Sequence, residues 1–144
     1  MCDVTDAVMF ELPHSFEAPS DARGLVEQNL CPLHGRAALG PAQVLVSELA
    51  LCGVLYGKPP IVLDLACAES RVRVAVTHRA AGSLVREIPI DEDGGLRSGV
   101  LARLSRAWGV DRGPEARTLW CSLPTGAVPE PVRTVVPARD GHPV

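Results

Sequence analysis

The sequence predicts an α+β fold, a two-layer sandwich in which a mostly antiparallel sheet is covered on one face by helices. Three observations carry that expectation. Residues 42–57 are apolar most of the way round a helix, through Val44, Leu45, Val46, Leu49, Leu51, Val54 and Leu55, as a largely buried central helix requires. After Pro60 the period changes. Residues 61–67 form an apolar strand, and residues 71–77 alternate, with Val72, Val74 and Val76 on one face and Arg71 and Arg73 on the other. That is a hairpin with one face on a core. The third observation is the order of elements, which groups hairpins with helices.

Taken in order, residues 7–12 read as a first strand ended by Pro13, and it falls at a sheet edge. Ser20 is a good N-cap for a helix to about Leu30. Its apolar stripe is Ala22, Leu25, Val26 and Leu30, with Arg23 and Glu27 outside it, and it stops before Pro32. Residues 33–40 read as a loop. Gly40-Pro41 opens the central helix, Gly57 is available as its C-terminal cap, and Pro59-Pro60 forbids continuation. Strands over 61–67 and 71–77 turn at Glu69-Ser70. Periodicity fades to Gly95, and residues 91–95 read as mobile. Residues 96–107 are helical again, with Val100, Leu101 and Leu104 inward. A strand begins at Val110, turns over 111–114, and returns over 117–123. The order is strand, helix, helix, strand, strand, helix, strand, strand. The domain then spans residues 7–123, with residues 1–6 an N-terminal extension and 124–144 a Pro-rich tail expected to be disordered.

The totals narrow the function classes. A chain of 144 residues is one domain by length. Net charge is −3 with no basic cluster, so direct nucleic-acid binding is not expected. Aromatic residues are only 3% of the chain, so the core must be aliphatic. Lys58 is the only lysine, a bias that fits a GC-rich bacterium. No apolar run reads as reaching the roughly 18–20 residues that cross a membrane, and the N-terminus lacks the positive start of a secretory signal. A cytoplasmic protein is expected. Five cysteines, Cys2, Cys31, Cys52, Cys67 and Cys121, have no repeated spacing. Cys31-Pro-Leu-His34 is half of a metal motif without a second half, so no metal is expected. Cys52, Cys67 and Cys121 fall in cores, as small hydrophobes.

Residues 10–123 resemble the small anti-sigma-factor serine kinases of the Bergerat (GHKL) ATPase family. The resemblance rests on Leu45-Val-Ser-Glu-Leu49, Val72-Arg-Val-Ala-Val76, Gly94-Gly95 leading a helix into Ala107-Trp-Gly-Val110, and Arg117-Thr-Leu-Trp120. It implies a Bergerat-type sandwich. In an active member, it implies that Glu48 polarises the attacking hydroxyl or water. An Asn four residues later would hold Mg²⁺ against ATP; here that position is Cys52, and a neutral thiol is a poor Mg²⁺ ligand. An Asp would accept a hydrogen bond from the adenine amino group. Here it is His78, which accepts only while neutral. The phosphate lid would read Gly-x-Gly, but Gly95 is followed two residues later by Arg97, whose Cβ obstructs close backbone approach. Thr118 and Glu48 keep the family pattern.

Three departures strike metal, base and phosphate recognition separately. At about 1–3 kcal/mol each, they remove several powers of ten in affinity. The expected function is therefore a regulator of anti-sigma type that works by protein–protein interaction, with neither ATP nor Mg²⁺ as cofactor. Glu48 is either a group lining a cavity or a solvated edge residue. The alternative is an ATP- and Mg²⁺-dependent protein serine kinase acting on an antagonist. A third reading is a thiol or zinc sensor on Cys52, Cys67, His78 and Cys121. The resemblance implies a sigma factor, an antagonist or another transcription regulator as partner, and dimers built around the N-terminal region. A homodimer or heteromer through the first strand and its neighbouring helix is expected, with Phe10 either an interface or a core residue.

Overall fold

The computed structural model describes residues 8–30, 32–67, 71–79 and 100–124. Along them run β1 (Val8–Leu12), α1 (Ala18–Asn29), α2 (Pro32–Tyr56), β2 (Lys58–Cys67), β3 (Arg71–Arg79), α3 (Val100–Leu104), β4 (Ala107–Arg112) and β5 (Ala116–Pro124). This is the order the sequence predicts. The extension, residues 91–95 and the tail beyond Pro124 lie outside the described residues.

The strands form one five-stranded sheet in the order β1-β2-β3-β5-β4, and every neighbouring pair is antiparallel. Period-two alternation sorts the side chains. Val72, Val74, Val76 and His78 of β3 are buried on one face, together with Ile61, Leu63 and Leu65 of β2 and Leu119, Cys121 and Leu123 of β5. The long helix α2 packs on that face across β2, β3 and β5, and α1 lies beside it over β1 and β2. Arg71, Arg73 and Arg79 occupy the opposite face. There the Arg73 guanidinium stacks 5.5 Å from the centroid of Trp120, which sits across from Ala75 and Gly109.

The two helices are joined by a helical periodicity and a polar seam. Ala18, Ala22 and Val26 are buried at four-residue intervals. Arg23 donates to the Ser47 hydroxyl at 2.9 Å, and Gln43 donates to the Arg23 carbonyl at 3.2 Å. Arg23 therefore leans toward α2 and away from the edge of the sheet.

Several boundaries differ from those expected. The segment 33–40 is helix, not loop, and Pro41 lies inside α2. An interior proline costs about 3 kcal/mol through its missing N–H and ring clash. Ala38, Ala42, Leu45, Val46, Leu49 and Ala50 are all buried, and a fully buried Leu or Val contributes about 1.5–3 kcal/mol each. Burial outweighs the break. α1 starts at Ala18, not after Ser20; Ser15 takes the early N–H groups through its carbonyl (3.0 Å from Ala18 N) and its hydroxyl (3.2 Å from Glu17 N). Pro19, with no N–H to satisfy, fits that first turn. The third helix ends at Leu104, because Arg106 already donates 2.7 Å to the Ser122 carbonyl and Ala107 pairs with Ser122 in the sheet.

A further correction concerns hydropathy. The 19-residue stretch Ala38–Tyr56 is long and apolar enough to cross a membrane by length and composition. In this fold one side of that stretch forms the core between the layers.

Candidate functional site

The residues singled out by the sequence converge only in part. Glu48 and Cys52 lie one turn apart on α2, on one face. Glu48 is half-buried, whereas Cys52 is buried at 7% exposure. His78 projects from β3 into the layer between sheet and helices and is fully buried. Thr118 goes elsewhere. It pairs with Thr77 on the opposite face of the sheet, their hydroxyls 2.7 Å apart, so it is not brought to His78. Gly95 and Arg97 lie outside the described residues.

A different constellation surrounds His78. Gly57, the residue after α2, presses its backbone on the imidazole: a Cβ there would lie 2.7 Å from His78 Cβ and closer still to Cγ and Nδ1. Gly57 follows the last residue of α2, at the C-terminal cap position expected of it, with a φ outside the left-handed range. It ends the helix by donating to the Gly53 carbonyl at 3.0 Å. Its own carbonyl accepts from His14 Nε2 at 3.1 Å, a donor placed where a helix leaves carbonyls unsatisfied. Arg117 stands directly across from His78 on β5.

Hydrogen bonding fixes the state of His78. Nδ1 lies 3.2 Å from the Arg79 carbonyl, which can only accept, so Nδ1 carries the proton. Nε2 is then a bare acceptor, and it is buried with no hydrogen-bond partner among the described residues. Burial lowers the pKa of the ring below its ordinary value; the Arg79 carbonyl opposes this, and the charges of Arg117 and His14 assist it. The imidazole is therefore neutral near pH 7.

The cysteines are free thiols where Cys52, Cys67 and Cys121 lie buried. Burial pushes the Cys121 thiol up to about 12, against a smaller opposing effect of Arg73. A thiol held neutral is a poor nucleophile and a poor metal ligand. Among the described residues, no three His, Cys, Asp or Glu side chains gather as a metal-binding group.

Sequence reasoning missed His14 and Arg117. Arg117 carried a signal: Leu119, Cys121 and Leu123 alternate with it, which places it on the buried face and Thr118 on the other. His14 carried none, since its contact with Gly57 spans 43 residues. No protein-family model matches the chain, and no curated protein matches it either.

Proposed function

We propose that this chain is a regulatory protein of anti-sigma type, built on a Bergerat-type sandwich, that acts by protein–protein interaction in bacterial transcription control. Its nucleotide site is degenerate and inactive. One observation carries the reading: the two positions that should meet metal and base are a buried thiol, Cys52, and a sealed neutral imidazole, His78. Cys52 offers Mg²⁺ no hard oxygen. His78 is packed against Gly57, with no exposed surface for a purine. Thr118, which keeps the family pattern, lies on the face of the sheet opposite His78. Glu48 then serves as an edge residue of α2. The partner is a sigma factor, an antagonist or another transcription regulator, met in the cytoplasm.

A second reading, an ATP-dependent serine kinase, draws on one feature. The unpartnered Nε2 of His78 is an acceptor, the role an adenine amino group needs. Thermal denaturation in ATP and Mg²⁺ separates the two. A ligand at 100 times its Kd stabilises a fold by about 2.7 kcal/mol. The expected outcome is no Mg²⁺-dependent shift at millimolar ATP; a saturable shift with a micromolar Kd would overturn the inactive-site reading and revive the kinase one.

A further inference from the structure

The described helices gather on one side of the sheet, α1 and α2 against the strands and α3 against α2. The opposite face has no described element over it, and pairing register maps it row by row. Arg73 stands between Ala66 of β2 and Ser122 of β5, with Ala107 beyond. In the next row Trp120 stands between Ala75 and Gly109. Ala75 is only 1% exposed although no helix covers it. Arg71, Arg73 and Trp120 therefore rise from a floor of small residues. The Arg73 guanidinium lies over the Trp120 ring, and neither Arg71 nor Arg73 pairs with a carboxylate among the described residues.

Charge divides this face along the strands. Arg71 and Arg73 occupy rows in which no described residue is acidic. Asp64 enters in the row of Trp120, and Glu11 and Asp111 in the row after it. An occupant is therefore anionic where it meets the two arginines and apolar where it meets the indole. A nucleic acid fits this poorly. Arg73 already lies over the ring on which a base would stack, and a phosphate backbone crossing the face would run over Asp64, Glu11 and Asp111.

A second copy fits poorly as well. Its exposed acids one turn apart, Glu17 and Asp21, lie at the start of α1 on the helix side of the sheet. Seating them on Arg71 and Arg73 would stack copies head to tail without closure. The occupant's backbone is constrained too. A sheet face offers no main-chain hydrogen bonds, so whatever lies on it must satisfy its own, as a helix does. Spacing agrees: alternate strand residues are about 6.6 Å apart, and residues four apart on a helix are about 6 Å apart along its axis.

We propose that this face is a docking site for a helix of a partner protein, one with two carboxylates four residues apart and an apolar side chain one turn further on. The helix runs along β3. Its carboxylates meet Arg71 and Arg73, and its apolar residue meets Trp120. Arg73, held over the indole, presents its N–H edge to a carboxylate with little freedom left to lose. Asp64, Glu11 and Asp111 repel the acidic pair from the other end, which fixes the direction of the helix. The proposal rests on the reading as an interaction module; nucleotide binding tests that reading, and peptide binding tests this one.

The test uses the full chain and three fluorescent alanine-rich helical peptides of about twenty residues. The first carries two glutamates four apart and a leucine four further on. The second has lysines in place of the glutamates, and the third has its glutamates two apart. Anisotropy should show saturable binding of the first alone. Arg71→Gln/Arg73→Gln should weaken it at least about tenfold without lowering the circular-dichroism melt, and Arg79→Gln, past the acidic rows, should leave it within about twofold. Arg71→Glu/Arg73→Glu should transfer binding to the lysine peptide, a gain that misfolding cannot mimic. Equal binding of the first and third peptides, no saturation by about a millimolar, or an equal loss in Arg79→Gln overturns the proposal. So does tighter binding of a single-stranded oligonucleotide, which gives the face to nucleic acid. Sedimentation showing assemblies that Arg71→Gln/Arg73→Gln abolishes overturns it too, giving the face to a second copy.

Discussion

At the end of α2, Gly57 yields the place of its absent side chain to the ring of His78; in the middle of α1, Gly24 yields its place to nothing. In the sequence Gly57 reads as a helix end before Pro59-Pro60, and Gly24 as a small residue inside a helix. In the fold they have opposite meanings. The first is demanded from inside, where β3 and the helix terminus meet so closely that no Cβ fits. Among the described residues the second meets no neighbouring atom that would demand a glycine. His78 at the junction is fully buried and neutral, whereas the β1 edge is open among the described residues.

That contrast can be broken by experiment. The largest expected effect is at the junction. Gly57→Ala drives a methyl into the imidazole and should cost about 2–3 kcal/mol in urea denaturation, as overpacking does. In a His78→Ala background the same change should cost much less, because the obstructing ring is gone. Additive costs would mean that the two residues do not press on one another.

Acid should act at the same place. An imidazole whose folded-state pKa lies below the ordinary 6.5 takes its proton more readily when unfolded. Its contribution is therefore complete above pH 6.5 and is lost as pH falls from there toward the folded value. Stability measured between pH 7 and pH 5 should decline, and His78→Gln should flatten that decline. An unchanged slope would assign it to other groups.

The smallest effect is at the open edge. Gly24→Ala should raise stability by about 0.5–1 kcal/mol through helix propensity alone, detectable as a higher midpoint in the same urea titration. A loss would mean that α1 does need its glycine, and the contrast between the two sites would collapse.

Much of the fold was legible because it follows from periodicity. The alternation of Val72, Val74 and Val76 fixed the buried face of β3, and the same alternation extended two residues buries His78. Proline and glycine misled where burial overruled them. Gly40-Pro41 reads as a helix start, yet the apolar face from Ala38 to Ala50 carries α2 straight through it. The site was less legible because its geometry is set by pairing register. Alternation does place Thr118 and His78 on opposite faces of neighbouring strands, but which residue of β5 stands across from His78, namely Arg117, depends on the register. The contact of His14 with Gly57 depends on where two distant segments meet, which no local pattern records.

The strand order has a consequence for synthesis. β5 is the last described strand, and it inserts between β3 and β4 rather than adding to an edge. As the chain emerges from a ribosome, β1, β2 and β3 can pair as soon as they are made, but the far side of β3 then waits, with Val72, Val74 and Val76 beside an unfilled place. Only after Pro124 has emerged can the middle of the sheet be completed. A chain interrupted before Ala116 is therefore not a smaller version of this protein. It is a sheet with its centre missing, bearing two sticky borders, a substrate for chaperones and proteases.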